Sequence, residues 1–495
     1  MVAGELRMGT AAGRWVLVTT VLGSGLAMID GTVVNVALER IGTDLDAGFV
    51  GLQWTVNAYT LALASLILLG GSLGDHFGRK RVFIIGVAWF ALASLVCGLA
   101  PDINTLIAAR ALQGVGGALL TPGSLALISA SFHGPDRAAA VGAWSGLGGI
   151  AGAIGPFLGG WLVEWSWRAV FLINLPLAAV VIAIALRHVP ESRDTESAPG
   201  LDLTGTMLAV IGLAGLTYGL TALGAGRPDA VPLIAVAVGV LALVVFVLVE
   251  WRSPHPLVPP TLFRNRTFSA ANLATVLIYG AMGAVFLLLV LQLQVVAGFT
   301  PLAAGTALLP VTALMLIFSA RVGALTGRIG PRLPMTLGPL ISAAGLLLLL
   351  RVGPAASWLA DVLPAMLVFG AGLTLTVAPL TATVLDAAPD RYAGAASGVN
   401  NAVARAAGLL AVAVVPGLAG ITGDDYSDPV AFDSGFRTAM LIGAGLLVAA
   451  ALAAFTLIRR PPRAAAPRDR DCIRVEECFQ CPVGSPPLHP SGTHR

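Results

Sequence analysis

About fourteen apolar runs, each long enough to cross roughly 30 Å of hydrocarbon, follow one another along this chain and leave room for little else. They begin near Trp15, Phe49, Val82, Thr105, Ala138, Arg168, Thr204, Val231, Phe268, Ala303, Pro334, Asp361, Ala393 and Phe436. A bilayer interior offers backbone amides no water, so runs of this length must close their own hydrogen bonds as helices. Composition agrees, because 57% of the 495 residues are hydrophobic and 11% are charged, against roughly 25% charged in soluble domains. The expectation is an all-α, polytopic membrane protein embedded in a lipid bilayer. A formal net charge of +3, with bases scattered through loops, gives no footprint for nucleic acid. The apolar run after Arg14 is longer than the core of a cleavable leader and reads as the first span.

The loops sort by charge. Arg7, Arg14, Arg79, Lys80, Arg81, Arg137, Arg187, Arg193, Arg252, Arg264, Arg266, Arg328, Arg332, Arg391, Arg459 and Arg460 fall on one side. Glu39, Asp44, Asp46, Glu164, Asp424, Asp425, Asp428 and Asp433 fall on the other. The positive-inside rule then puts both termini in the cytoplasm, as an even number of spans requires. Lys80 is the sole lysine, and this arginine bias with abundant Ala and Gly suggests a GC-rich bacterial genome, hence a cell inner membrane.

An internal repeat divides the chain. LTGRIGPR at 325–332 follows the tenth run as LGDHFGRK at 73–80 follows the second, and Pro-Asp-Arg recurs at 135–137 and 389–391. Recurrence about 250 residues apart implies two related halves. The expected organisation is a six-helix bundle over 1–190, two intervening helices with linkers over 191–265, a second six-helix bundle over 266–458, and a disordered cytoplasmic tail over 459–495. Cys97 lies in a span and acts as a small apolar residue, whereas Cys472, Cys478 and Cys481 fall in the tail. Cys478, Cys481, His489 and His494 lack the spacing of a zinc finger, so neither a metal nor a cofactor is implied.

Between the second and third runs, GSLGDHFGRKR packs one acid, three bases and three glycines into a single hairpin. Gly71, Gly74 and Gly78 permit a tight turn, and Asp75, Arg79 and Lys80 are placed to bond helix ends or opposite charges. Two readings are open: a latch that closes the cytoplasmic side, or a topology signal that caps the third helix. Adjacent bases alone would serve topology, which leaves Asp75 and the glycines to the latch.

Charges inside the spans are the other candidates, since an ionisable group in hydrocarbon is costly. Asp30 lies about 22 Å along the first helix from Trp15, and Arg110 lies at a comparable depth in the fourth. The two can face each other across a cavity, with Asn35 and Gln113 completing a polar network, and such a pair could couple a proton to a change of state. The alternatives are an aspartate capping a helix break at Gly31 and Thr32, and an arginine that snorkels to the surface. Arg405, about 18 Å from the start of its span, either meets an anionic group of a substrate or is a fixed structural cation. Gly155, Pro156, Gly159 and Gly160 leave one face of the fifth helix nearly bare, so that another helix can pack at backbone distance.

These segments resemble the major facilitator superfamily and, within it, the fourteen-span drug:proton antiporters, over residues 15 to about 458. GSLGDHFGRKR resembles the loop signature between helices two and three, RALQG at 110–114 the fourth-helix signature, and GAIGPFLGG at 152–160 the antiporter signature of helix five. IDGTVVNVAL at 29–38, QWTVNAYTLALA from Gln53 and WRAVFLINLP from Trp167 resemble the fourteen-span branch. Glu39 stands where that branch has proline, and Ala151 where the antiporter signature has glycine. The resemblance implies two six-helix bundles plus two extra helices, and a monomer that exports a small amphipathic or cationic drug in exchange for protons by alternating access. It also implies that the bare face of helix five seals the halves against leak. An uptake carrier of the same fold is the nearest alternative. A membrane enzyme would need a convergent catalytic set, whereas the six histidines are scattered and no HExxH or phosphate loop is present.

Overall fold

Helix starts are written into the chain as capping side chains. Thr10, Asp102, Asp202, Asn265, Thr300 and Asp428 each accept a hydrogen bond from a first-turn amide, which satisfies donors that a helix leaves unpaired. At Asp102, outside the membrane span, the bonds from the Thr105 amide and hydroxyl hold the carboxyl below its usual range. The computed structural model describes residues 6–193, 202–226, 229–253, 256, 258–389, 392–422 and 428–458. The tail with its cysteines and histidines, Asp390 and Arg391 of the second Pro-Asp-Arg, and Asp424 and Asp425 lie outside the described residues.

Among the described residues, thirteen helices are long and apolar enough to cross a membrane: α1 Ala11–Asp44, α2 Phe49–Phe77, α3 Arg79–Gly98, α4 Ile103–Ser131, α6 Ala169–His188, α7 Leu203–Gly224, α8 Ala230–Arg252, α9 Arg266–Val296, α10 Pro301–Ile329, α11 Arg332–Arg351, α12 Trp358–Asp386, α13 Gly394–Leu418 and α14 Pro429–Leu457. Between α4 and α6 runs α5, Gly134–Trp165, whose 32 residues extend about 48 Å and also suffice to span.

Packing repeats with an offset of eight helices. In the first half α4 packs on α2 and α3, and α1 on α5 and α6; in the second, α12 packs on α10 and α11, and α9 on α13 and α14. The hairpin landmark repeats in the backbone too, since Gly78 and Gly330 both have positive φ, +106° and +82°, a region glycine enters without steric cost. The halves meet along two seams related by the same repeat, α5 with α10 and α2 with α13, and α7 lies against both α2 and α13.

The contacts that join the halves concentrate at the end carrying Asp44, Asp46 and Asp433. Gln53 Nε2 donates to the Val412 carbonyl at 2.8 Å, and Gln294 Nε2 to the Val36 carbonyl at 3.1 Å. Gln294 lies in a π-helical turn, Gln292–Val296, at the end of α9, which re-aims side chains locally. Phe49 stacks edge-on against Phe432. On the α5 and α10 seam, a Cβ on Gly160 would stand 2.6 Å from Leu302 Cα and from the Pro301 carbonyl oxygen, and one on Gly305 would collide with the Pro156 carbonyl.

The Gly160→Leu variant therefore should part the halves at this end. Spin labels at Asn104 and Ala355, both exposed there, in a cysteine-free background should report a longer distance by double electron–electron resonance than in the parent. An unchanged distribution would show that backbone contact at Gly160 does not hold the end shut.

Candidate functional site

The buried centre of the first half is built by five helices that each contribute one or two polar or aromatic groups. Asp30 on α1 and Arg110 on α4 are each 1% exposed, and Arg110 Nη1 stands 2.5 Å from Asp30 Oδ2. Arg110 Nη1 also donates to Gln113 Oε1 at 2.6 Å, and its Nε to the Thr55 carbonyl of α2 at 3.0 Å. The guanidinium lies over the Tyr59 ring, 4.3 Å from its centroid, and 5.7 Å from that of Phe171. Asp30 Oδ1 accepts from Gln113 Nε2 at 2.7 Å and from Asn174 Nδ2 of α6 at 3.2 Å. Ser94 Oγ of α3 accepts from both of these amides, at 2.7 and 3.3 Å.

Local sequence explains the convergence. Arg110 and Gln113 are three residues apart and share a face of α4. Gly114, Gly116 and Gly117 let neighbouring helices approach α4 closely: a Cβ on Gly116 would stand 2.7 Å from the Phe90 amide of α3, and one on Gly117 would stand 3.4 Å from the Tyr59 hydroxyl of α2. Asn174 opens the longer helical segment of α6, just past an interruption at Ile173.

The sequence reading of this network needs one correction. Asn35 takes no hydrogen bond from Asp30, Arg110 or Gln113 among the described residues, and its Oδ1 is buried without a partner. Five residues at 100° each turn it about 140° around α1 from Asp30, onto a different face. Ser94, Asn174, Tyr59 and the Thr55 carbonyl stand where Asn35 was expected. Asn174 lies inside the WRAVFLINLP segment, and a polar amide in a span was the signal available for it.

The hairpin is held within its own half. Arg79 Nε donates to Asp75 Oδ1 at 2.8 Å, one helical turn away across Gly78. Glu191, not Asp75, caps α3: its carboxylate accepts the Lys80 amide at 3.0 Å and the Arg81 amide at 3.2 Å. Lys80 Nζ donates to the Leu186 carbonyl, and a Cβ on Gly78 would press against the Glu191 carboxyl. Gly71 faces Pro122 of α4 at ordinary contact distance, and Gly74 faces Arg79. In the second copy, Arg332 lies over the Phe455 ring at 4.3 Å.

Helix five presents its small residues to two partners. Gly155 abuts Thr32, and a Cβ on Gly159 would stand 3.0 Å from the Val33 carbonyl of α1; Gly160 and Pro156 face α10, as described above. Arg405, midway along α13, is half-buried and donates from Nε to Asn401 Oδ1 at 2.8 Å. Tyr59 of the first half and Tyr279 of the second lie within its electrostatic reach.

The buried pair is neutral only while both members are charged. Arg110→Ala should therefore destabilise the protein by about 3–5 kcal/mol, the cost of stranding a buried charge, whereas Asn35→Leu should change stability by less than about 1 kcal/mol. Thermal unfolding of the detergent-purified variants measures both; equal losses would remove the distinction drawn between the buried ion pair and the Asn35 face of α1.

Comparison with known proteins accords with the geometry. The profile of the Major Facilitator Superfamily matches residues 20–412. "Multidrug resistance protein Stp" of Mycobacterium tuberculosis is 37% identical over 389 residues, 78% of this chain and 72% of that protein. "Puromycin resistance protein pur8" of Streptomyces alboniger is 35% identical over 458 residues, 90% of this chain and 91% of that protein. "Cephamycin export protein CmcT" of Amycolatopsis lactamdurans is 37% identical over 398 residues, 79% of this chain and 82% of that protein. Among solved structures, an inward-facing bacterial homolog of the human lysosomal transporter Spinster matches with TM-score 0.64 at 16% identity, covering 90% of this chain and 97% of that one. A peptide transporter POT in complex with sulfate matches with TM-score 0.66 at 14% identity, covering 92% and 98%. At these identities the structures speak for the fold. The sequence matches go further: this chain belongs to the major facilitator superfamily, as a multi-pass membrane transporter whose relatives are named for antibiotic resistance and export.

Proposed function

We propose that this transporter exports a small amphipathic, antibiotic-like compound across a bacterial inner membrane in exchange for protons, by alternating access, with both termini in the cytoplasm. The observation that carries the reading is the Asp30 and Arg110 pair, fully enclosed in one half. Protonating Asp30 dissolves the ion pair and leaves Arg110 with Gln113, the Thr55 carbonyl and the Tyr59 ring. The pair is thus a two-state element, and its proton can bias the packing of five helices. Asp30 is closed to solvent in this state, so a proton reaches it only after those helices move. The names of the relatives support export of a toxic compound over uptake.

The contacts at Gln53, Gln294 and Phe49 support a carrier closed at its acidic, outer end. Gly155, Pro156, Gly159 and Gly160 would hold α5 against α1 and α10 and so resist leak between the halves. The hairpin of Gly71, Gly74, Asp75, Gly78, Arg79 and Lys80 would act when the other end closes, its Asp75 exchanging Arg79 for a partner across the interface. Energy suffices: one proton moving down 100 mV and one pH unit yields about 3.7 kcal/mol, a concentration ratio on the order of 500.

The direct test is a toxicity panel in a host lacking its own pumps, with and without a protonophore. Protonophore-sensitive protection is expected, and its absence for every compound would end the export reading. Asp30→Asn should insert normally yet lose the pH dependence of export; full, pH-sensitive export in that variant would remove Asp30 from coupling. Asp75→Asn should impair transport more than Arg332→Gln, since Gly327 leaves the second copy without an acid at the matching place. The reverse ranking in the same toxicity panel would return the hairpin to a topology signal.

A further inference from the structure

Charge in the interior does not balance. Asp30 and Arg110 cancel each other, but Arg405 stands at the middle of α13 with no carboxylate within ion-pair distance among the described residues. Its only hydrogen bond there is from Nε to Asn401 Oδ1, on its own helix. A guanidinium carries five N–H donors in a planar fork, so the four on its Nη atoms are unspent. Arg321, another span arginine without an acid, differs in kind: it is exposed, its Nη1 donates to the Ile317 carbonyl, and it lies about 12 Å from the basic end of α10, within snorkelling distance of headgroups. Arg405 has no such exit. It is placed among interior groups, within electrostatic reach of Tyr59 of the first half, which is 3% exposed beneath Arg110, and of Tyr279 of its own half.

From this we infer that Arg405 is the cargo-binding cation, and that the exported compound carries a planar oxyanion, a carboxylate or phenolate, on an otherwise apolar body. The inference rests on the export reading and narrows its substrate class. An arginine at bilayer mid-depth must pair or line water, and its fork matches a carboxylate with two parallel hydrogen bonds. The half-buried state of Arg405 leaves that fork reachable, and Asn401, exposed beside it, adds an amide donor. Leu61 and Ala406, packed alongside against Ala64, Leu213 and Leu409, suit the apolar body. Tyr59 and Tyr279 come from different halves, so an anion on Arg405 would lie within the electrostatic reach of groups from both. A cationic cargo, which the family resemblance implied beside an amphipathic one, would meet the repulsion of Arg405 with no acid in ion-pair distance of it among the described residues to offset it.

The experiment extends the toxicity panel by charge: nalidixic acid, fusidic acid and novobiocin as acids, ethidium and tetraphenylphosphonium as cations, chloramphenicol as a neutral compound. Protonophore-sensitive protection should fall on acids and should drop by about tenfold in Arg405→Gln, the worth of a charged hydrogen-bonded contact. Arg405→Lys should keep part of it, having the charge without the fork. Insertion of each variant is checked by fluorescence-detected gel filtration. Should Arg405→Gln fail to insert, the purified parent decides: phenylglyoxal modification of Arg405, mapped by mass spectrometry, should slow in nalidixate and not in tetraphenylphosphonium. Protection confined to cations or neutral compounds, acid protection that survives Arg405→Gln, or modification indifferent to nalidixate would each overturn this inference while leaving export standing. Protection against nothing would overturn export itself.

Discussion

A carboxylate and a guanidinium taken out of water must neutralise each other, and the architecture of the first half follows from that demand. Neither Asp30 nor Arg110 could be buried alone, because an unpaired charge in this setting costs more than the helix packing around it returns. The pair also leaves lone pairs and protons to satisfy; Gln113, Asn174 and the Thr55 carbonyl take them up, and Ser94 Oγ in turn accepts from the Gln113 and Asn174 amides. Every one of these groups lies on a different helix from Asp30, so the network fixes α1, α2, α3, α4 and α6 with respect to one another. The glycines after Gln113 follow from the same constraint: only a helix with a bare face lets Tyr59 and Phe90 come close enough to enclose the charges. A buried ion pair adds little net stability; what it supplies here is a single arrangement of five helices.

The halves share a packing scheme without sharing this chemistry. Helix pairs repeat with an offset of eight, and both hairpins turn on a positive-φ glycine. The second half carries no Asp30 and Arg110 equivalent; its centre has the amide and hydroxyl contacts of Asn400 with Asn272 and Thr275, and the charge of Arg405. A pseudo-symmetric frame with one neutral pair and one lone cation is electrically polarised between its halves. Under the proposed exchange, proton and cargo would address different halves, and the seams between them would carry the coupling.

Much of this was readable from the chain, for identifiable reasons. Span positions follow from transfer free energy alone, and all the runs begin within a turn or two of the observed helices. Asp30, Arg110, Gln113 and Arg405 were visible because polar groups in an apolar run stand out. The partners of Asp30 were harder. Asn35 was chosen by nearness in sequence, yet a helix turns 100° per residue and carries it to another face, while Asn174 sits 144 residues from Asp30 and only the packing of α6 on α1 brings it there. Glu191 was missed for the same reason, since a linker acid gives no sign of which helix it will cap. Gln53 and Gln294, which join the halves, lie near span ends where a glutamine is unremarkable on composition.

The two seams between the halves are equivalent in the repeat and inequivalent in substance. Along α5 and α10, backbone meets backbone at Gly160 and Gly305, and any parting loses close contact. Along α2 and α13, α7 closes over the join, and the register can be read: Gln53 and Thr221 line one crevice, and Ala64 packs with Leu213 and Leu409. Antiparallel pairing between those points sets Asn57 beside Thr217. Both side-chain polar atoms of Asn57 and the hydroxyls of Thr217 and Thr221 are buried with no hydrogen-bond partner among the described residues, unlike Thr55 and Thr206, which bond back to the carbonyl four residues earlier. Unsatisfied buried groups each cost about 1–3 kcal/mol. The seam beside α7 thus encloses polar groups left unspent among the described residues, whereas the α5 and α10 seam is backbone set against backbone.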